Sequence, residues 1–399
     1  MPVAARTSLV GDPGRYPVLD ALRALAILLV LARHWAVGST SAFGAVPGGP
    51  LAVLAANGWI GVDLFFVLSG FLIGSHFAGP HAGPFSKAAV LDFYRRRAFR
   101  TLPLYWGIIL LCWLSAPWQG GAGFSRSSFA VHLLFLQDYL GSDVMVTLWS
   151  LAVEEKFYLA APALLLLLMW VGRRIAGVLL IAAMAWLCWA MLASARSVTP
   201  GDYAAFFWTV RAPSHHAVLG ILAGVLVAVQ HGRSSDRSAP RSLFLALAAL
   251  PLALHLGRDW LAAGDWSMSC WIIILSSCLF ALLVRCGLAV NRRHPAFGAA
   301  RPLRAVARLS YALYLVHYPL IEPAAHLCQA VLAGAGADLP EPALASLLFL
   351  LIYGAMSWAA AWLLHVALER PFLLLRDRRA WLTTAMRISR SLKHRRRKA

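Results

Sequence analysis

Long apolar runs follow one another along almost the whole chain and constrain its fold more than any other feature. They recur at lengths of about 18–25 residues, the length needed to cross a bilayer as a helix. Of the 399 residues, 60% are hydrophobic and 13% are charged. A soluble fold cannot bury so much apolar surface, and barrel strands would alternate over about ten residues. The sequence therefore predicts an all-α, polytopic membrane protein.

The apolar runs, together with the Gly, Pro and charge clusters that divide them, predict about ten transmembrane helices. The seventh run is the least regular, since it contains Pro251 and His255. The predicted spans lie near residues 18–37, 58–78, 101–116, 148–171, 175–193, 213–230, 242–257, 266–285, 309–333 and 344–368.

The basic residues predict one orientation. Of the 36 Lys and Arg residues, 29 fall in the amino-terminal segment, the even-numbered loops and the tail, and four in the odd-numbered loops. By the positive-inside rule, both termini are then cytoplasmic. We divide the chain into a cytoplasmic segment at 1–15, a transmembrane domain at 16–375 and a basic cytoplasmic tail at 376–399. The tail either lies on anionic headgroups or is a disordered stop-transfer segment.

The composition also argues against several classes of protein. The formal net charge of +19 follows from the loop asymmetry, and no soluble domain carries a basic face, so no nucleic-acid partner is expected. The six cysteines lie in or at the ends of apolar runs without metal-ligand spacing. We therefore expect neither a metal site nor a disulfide framework.

The first predicted span carries two ionisable residues, Arg23 and His34, on one side of a helix. Their separation of eleven residues is three turns plus roughly 20°, which places them about 16 Å apart along the axis. Ionisable groups within a bilayer usually face the protein interior or a water-filled cavity. Asp20 lies one turn before Arg23, so a mutual ion pair near the headgroups is the alternative to a functional role for Arg23.

Polar side chains of three other spans are predicted within the bilayer. Asp63 is expected at a depth similar to His34, Glu154 in the outer half and His317 near the middle. Glu154 shares its helix face with Ser150 and Tyr158, as in a polar pocket. Asp63 could instead pair with a backbone amide at a helix end, and His317 could be a hydrogen-bonded core residue. At about 2.5–3.5 kcal/mol per central charge, such groups together cost on the order of 10 kcal/mol before pairing. That cost rivals the stability of a typical domain, which favours function for at least some of them.

A dense arginine cluster precedes the third span. Four guanidinium groups within six residues suit a multiply phosphorylated ligand, although an ordinary positive-inside cluster would look similar. The run of Pro103, Tyr105 and Trp106 that follows indicates an ordered entry into the membrane and favours the ligand. The cluster consists of Arg95, Arg96, Arg97 and Arg100.

Six motifs in order give the chain a resemblance to the acyltransferase-3 family of integral membrane acyltransferases, from roughly Tyr16 to Leu375. The first has Arg23 and His34 at the family's Arg-x10-His spacing, and the third has Arg97 and Arg100 as its Arg-x-x-Arg. The motifs read LDALRALAILLVLARH, GVDLFFVLSGFLI, RRAFRTLPLYW, WSLAVEEKFYL with Glu154, SYALYLVHYPL with Tyr311, Tyr314 and His317, and ERPF at 369–372. Ala152, Lys156 and Val316 depart from residues that are common in the family.

The resemblance implies transfer of an acyl group, expected to be acetyl, from cytoplasmic acyl-CoA to a hydroxyl. Acceptors in the family are carbohydrates such as polysaccharides, lipopolysaccharide and peptidoglycan, lipid-linked sugars, and secreted small molecules. The expected location is the bacterial cytoplasmic (inner) membrane, with membrane lipids as partners and a homo-oligomer left open. Some members carry an appended extracytoplasmic hydrolase-like domain. The sequence predicts no such domain here, so we expect the membrane domain to complete the transfer alone.

The resemblance and the residues together suggest a role for each candidate. His34 would be the general base on the acceptor hydroxyl, with Asp63 or Glu154 orienting it. Arg97 and Arg100, with Arg23, would bind the phosphates of coenzyme A. The acceptor would contact Tyr311, Tyr314, His317 and Arg211, the last at the outer mouth of the sixth span. A covalent route through Ser69 or Ser150 stays open but lacks an obvious adjacent base.

Two other classes of function compete with this hypothesis. A transporter or flippase of a sugar-containing or lipid-linked substrate would also explain intramembrane charges. It predicts inverted repeats or Gly/Pro-broken helices at matching positions in the two halves, and the sequence indicates neither. A non-catalytic scaffold or sensor explains the cytoplasmic arginines and the outer-half acids poorly.

Overall fold

A computed structural model describes residues 16–44, 48–78, 85–115, 126–142, 144–231, 266–334 and 342–376. Within these ranges all regular structure is helical. The α-helices are α1 (Pro17–Phe43), α2 (Pro50–Ala56), α3 (Gly61–Ala78), α4 (Lys87–Ser115), α5 (Arg126–Leu133), α6 (Gln137–Leu140), α7 (Trp149–Trp170), α8 (Arg173–Ala195), α9 (Tyr203–Phe206), α10 (Ser214–Gln230), α11 (Trp266–Arg293), α12 (Arg301–Val316), α13 (Ile321–Gly334) and α14 (Pro342–Leu364). Turns of 3-10 helix precede α3, α7 and α13, and π-helical turns follow α9 and α14.

The predicted all-α membrane fold is confirmed, with five helices long and apolar enough to cross a bilayer. They are Pro17–Phe43, Gly58–Phe77, Arg173–Ala195, Trp266–Arg293 and Pro342–Arg376. A sixth crossing results if Tyr203–Arg211 and Ser214–Gln230, which meet at 56°, are one span. The ten-helix count and the cytoplasmic termini therefore stay predictions. The span predicted near 242–257 lies outside the described residues.

Two predicted spans differ in the structure. The span predicted at 101–116 is the second half of α4, so the arginine cluster and the apolar run belong to one continuous helix. The span predicted at 309–333 is interrupted, because α12 ends at Val316 and α13 begins at Ile321. Pro319 lies in the 3-10 turn between them, and its missing N–H and fixed φ explain why the α-helix stops there.

Helix α3 lies at the centre of the fold, in contact with α1, α7, α10 and α11. Its contact with α10 is backbone to backbone. A Cβ atom on Gly70 would lie 1.9 Å from the carbonyl oxygen of Ile221, and one on Gly224 would lie 2.0 Å from that of Val67. Gly74 and Gly220 complete a GxxxG spacing in each helix, the small-residue pattern that lets membrane helices approach closely.

The peripheral helices expose large apolar side chains. On α8, Trp186 and Trp189 are 60% and 66% exposed, and Leu351 of α14 is 70% exposed. Such a surface suits contact with lipid chains. The central α3 is in contrast surrounded by protein, and the polar groups described next lie around it.

Candidate active site

A pocket of about 700 Å³ lies among α1, α3, α4, α7 and α12 and brings together six of the predicted site residues: Arg23, Arg97, Arg100, Glu154, Tyr311 and Tyr314. Its lining residues on α3 extend from Val62 to Leu72, ten residues and therefore about 15 Å of helix. The pocket is thus elongated along α3, with the arginines towards one end.

Three arginines form the cationic end of this pocket. Arg23 lies 3.8 Å from Asp20, so the predicted i,i+3 pair is present but long. Arg97 lies over the rings of Phe93 and Tyr158, at 5.7 and 5.1 Å from their centroids. In the described part of the chain, neither Arg97 nor Arg100 forms an ion pair with a carboxylate. Their charge is therefore available to an anionic ligand.

The other two arginines of the cluster are already paired with Asp92. Arg95 Nη2 lies 2.7 Å from Asp92 Oδ1, and Arg96 Nε lies 2.6 Å from Oδ2. Burial raises the pKa of the Asp92 carboxyl, but the hydrogen bonds from Arg96 and Arg95 outweigh it and hold that pKa below its ordinary value. The structure thus divides one sequence cluster into an occupied pair outside the pocket and an unpaired pair inside it.

Glu154 of α7 faces the pocket from its middle. Ser69 donates a hydrogen bond to Oε1 at 2.9 Å, and Tyr158 donates one to Oε2 at 2.5 Å. Tyr158 is at i+4 on the same helix, as the sequence predicts for a shared face. Ser69, from α3, fixes the carboxylate across the helix interface. A carboxylate therefore does lie beside Ser69, contrary to the expectation that this serine lacks an adjacent base.

Two tyrosines of α12 form the pocket wall opposite α3. Tyr311 donates its hydroxyl to the carbonyl oxygen of Thr101 at 2.8 Å. Tyr314 donates to the carbonyl oxygen of Thr147 at 2.8 Å, and its hydroxyl oxygen lies 2.6 Å from Ser150 Oγ. Both side chains are therefore held in fixed positions.

His34 lies beyond the pocket wall and is paired with His317. The two ring centroids are 4.8 Å apart, and that of His317 is 5.6 Å from the ring of Tyr314, which lines the pocket. His34 Nδ1 donates to the carbonyl oxygen of Val30 at 3.0 Å, and His317 Nδ1 to that of Leu313 at 3.1 Å. In neutral rings this assignment leaves each Nε2 as an acceptor. His317 is fully buried and its Nε2 has no hydrogen-bond partner among the residues that the structure describes, whereas His34 keeps partial exposure.

Asp63 and Arg211 have different partners from those predicted, since Asp63 was expected beside His34 and Arg211 beside the acceptor. They pair with each other, with Arg211 Nη1 2.8 Å from Asp63 Oδ1 and both side chains almost fully buried. The guanidinium lies between Trp59 and Trp149, at 5.3 and 5.0 Å from the ring centroids. Arg211 is thus not exposed at the outer end of a helix. His34 forms its hydrogen bond with a backbone carbonyl oxygen rather than with Asp63 or Glu154.

The structure also shows which contributors the sequence reasoning missed. The sequence indicated Ser69 only as a candidate nucleophile. It gave no indication of the two tryptophans that enclose Arg211. The glycines of α3 and α10 were missed as well, although the GxxxG spacing in both apolar runs was the signal that could have identified them. No group of His, Cys, Asp and Glu residues in the described ranges could hold a metal ion.

Comparisons with known proteins point to one family. A family model described as an acyltransferase domain matches residues 16–366. YrhL of Bacillus subtilis (strain 168), whose name proposes a peptidoglycan O-acetyltransferase, is 28% identical over 335 residues, 76% of this chain and 48% of YrhL. The O-acetyltransferase OatA of Staphylococcus aureus (strain NCTC 8325 / PS 47) is 26% identical over 338 residues, 78% of this chain and 51% of that protein.

A third relative matches a shorter segment. The peptidoglycan O-acetyltransferase OatA of Listeria monocytogenes serovar 1/2a (strain ATCC BAA-679 / EGD-e) is 32% identical over 175 residues, 39% of this chain and 25% of its own length. In the first two alignments the chain spans about half the length of the relatives. No solved structure matches the chain.

Proposed function

Since this chain belongs to the acyltransferase-3 family, we propose that it transfers an acyl group, acetyl, from cytoplasmic acyl-CoA to a hydroxyl of a carbohydrate acceptor. The observation that carries this proposal is the pocket in which unpaired arginines and a fixed carboxylate share one elongated cavity. The relatives named for peptidoglycan O-acetyl transfer support a cell-wall glycan as the acceptor.

In this proposal, Arg97 and Arg100 hold the phosphates of coenzyme A, with Arg23 as the third cation. Guanidinium groups bind phosphate oxygens through paired, charge-assisted hydrogen bonds, and these two have no competing carboxylate among the described residues. The thioester arm extends along α3 past Glu154. The positive-inside rule places the arginine end on the cytoplasmic side, where acyl-CoA is made.

His34 acts as the general base on the acceptor hydroxyl. Its Nδ1–H is held by the carbonyl oxygen of Val30, which leaves Nε2 as the ring nitrogen that accepts the proton. Because Tyr314 and His317 lie between the pocket and His34, the proposal requires this wall to open so that the thioester carbonyl reaches His34. The hydroxyl proton then passes to Nε2 while the oxygen attacks the thioester carbonyl. The C–O bond forms, the C–S bond breaks, and the thiolate of coenzyme A takes up the proton. His317 lies against His34 and connects it to Tyr314 in the pocket wall.

Kinetics of the purified full-length protein with labelled acetyl-CoA and a soluble peptidoglycan fragment test the proposal. His34→Ala should abolish transfer while coenzyme A still binds. Arg100→Ala should raise the KM for acetyl-CoA by about tenfold to a hundredfold, the effect of losing a charged hydrogen bond. Arg95→Ala is the matched control, because Arg95 belongs to the same helix but is paired with Asp92.

Two outcomes would contradict the proposal. Normal turnover by His34→Ala would remove His34 from the mechanism. Equal KM values for Arg100→Ala and Arg95→Ala would remove the pocket arginines from donor binding.

Broken helices favour a second candidate function, transport of a lipid-linked or sugar-containing substrate. Irregular backbone of this kind surrounds substrate sites in transporters, and the helices are interrupted at Pro213 and Pro319. Both interruptions lie in the second half of the chain, so they are not the breaks at matching positions of the two halves that the transporter hypothesis predicts. The same preparation separates the two candidates. Label transfer from acetyl-CoA supports the acyltransferase, whereas substrate counterflow without label transfer supports the transporter.

A further inference from the structure

A second cavity of about 1100 Å³ lies between α8, α10 and α11, and its lining shares no residue with the arginine pocket. Four arginines line it: Arg173 and Arg174 at the start of α8, and Arg285 and Arg292 towards the end of α11. The described residues that line this cavity include no Asp or Glu. The groove thus gathers arginines from the ends of two helices.

Gln230 and His231, at the end of α10, also line the groove, and its α8 side carries an outward-facing aliphatic strip. Val178 and Ile181 of α8 line the groove and are 66% and 55% exposed, as expected for side chains that face lipid. Gly177 lies between the arginines and these aliphatic side chains. A Cβ atom built on it would meet no other atom within 4 Å, so the groove has open space at this point.

We propose that this groove binds an anionic phospholipid, with the phosphate of its headgroup among the four arginines and an acyl chain along Gly177, Val178 and Ile181. Basic grooves between membrane helices bind acidic lipid headgroups in this way. A soluble phosphate or nucleotide shares the anionic chemistry but would leave the exposed aliphatic strip uncovered. The strip is what favours a lipid.

The proposed lipid would connect two helices that pack on α10. Both α8 and α11 contact α10, and the arginines at their ends converge on the groove. A headgroup bound there would contact arginines of both helices. Binding should therefore stabilise the folded protein, as any ligand of the native state does.

Thermal unfolding of the delipidated full-length protein in detergent provides the test. Phosphatidylglycerol should raise the melting temperature, and phosphatidylcholine with the same chains should not. Arg173→Gln with Arg174→Gln should weaken phosphatidylglycerol binding by about fivefold for each arginine removed. The matched charge control is Arg95→Gln with Arg96→Gln, which removes two arginines paired with Asp92.

A second variant fills the groove without removing charge. Gly177→Leu introduces a side chain into the open space and should block the acyl chain, while leucine favours the helix. Gly354→Leu is its control, because a Cβ atom there also meets nothing within 4 Å. It should bind phosphatidylglycerol like the unmodified chain.

Three results would overturn the proposal. The first is that phosphatidylcholine raises the melting temperature as much as phosphatidylglycerol does. The second is that phosphatidylglycerol still binds to both groove variants. The third is that inorganic phosphate or coenzyme A alone gives the same stabilisation and that Gly177→Leu does not reduce it. The last result would assign the arginines to a soluble anion.

Discussion

At the residue scale, the polar groups around α3 fall into paired and unpaired sets, and this division indicates their roles. Asp63 and Arg211 pair with each other, whereas Arg97 and Arg100 have no carboxylate partner among the described residues. The sequence indicated six of the residues that line the pocket, but not the partners of the polar groups. Asp63 and Arg211 are 148 residues apart, and no local pattern relates residues at that separation.

The buried Asp63–Arg211 pair predicts a strong effect on stability. Asp63→Ala should lower the free energy of unfolding by about 3–5 kcal/mol, because it leaves a buried guanidinium without its partner. Replacing both residues, as in Asp63→Leu with Arg211→Met, should recover part of the loss. Chemical or thermal unfolding in detergent measures both.

Asp92→Ala is the control for this prediction, since the Asp92 pairs are partly exposed and should contribute about 1 kcal/mol or less. If Asp63→Ala proved as mild as Asp92→Ala, the buried pair would not be a structural element.

Ser69 is expected to position Glu154 rather than to carry the acyl group. Ser69→Ala should lower kcat by about tenfold to a hundredfold, the effect of losing one hydrogen bond to a charged group, and Tyr158→Phe should act similarly. Protein quenched in acid during turnover with labelled acetyl-CoA should carry no covalent label. Label that disappears in Ser69→Ala but not in Tyr158→Phe would instead establish an acyl-serine route.

At the element scale, the sequence predicted most helices but not their interruptions or their closest contacts. Apolar length identified α1, α3, α7, α8, α10 and α14 within a few residues, because hydropathy reports membrane burial directly. The stop at Pro319 was missed, since proline inside an apolar run is also compatible with a continuous helix, as at Pro103 in α4. The start of α10 after Pro213 agrees with the span predicted to begin at residue 213. Contacts between distant helices depend on packing that hydropathy does not encode.

The contact between α3 and α10 predicts that the glycines cannot be enlarged. Gly70→Ala should destabilise the protein by about 1–3 kcal/mol or more, because its Cβ would overlap a backbone carbonyl that cannot move without shifting a helix. Gly354→Ala should be neutral or slightly stabilising, since space is open there. Melting temperatures of the two variants give the comparison, and equal values would show that the helices are not packed through these glycines.

At the scale of the whole molecule, the account requires a passage that joins two sides of a membrane. The arginines lie towards one end of the elongated pocket, and His34 lies beyond the wall next to Tyr314. The sequence predicted from helical spacing that Arg23 and His34 lie on one side of α1, since eleven residues separate them. It did not predict that His317 and Tyr314 lie between His34 and the pocket, because that placement depends on the break between α12 and α13.

Transfer across a sealed bilayer tests the central claim most directly. Vesicles containing the purified protein would enclose labelled acetyl-CoA, with an impermeant peptidoglycan fragment supplied outside and Arg95→Ala and Arg100→Ala reconstituted in parallel. The account predicts that label appears on the external fragment with the unmodified protein and Arg95→Ala, and is strongly reduced with Arg100→Ala at limiting acetyl-CoA. Label transfer that occurs when both substrates share one compartment, but never across the bilayer, would contradict it.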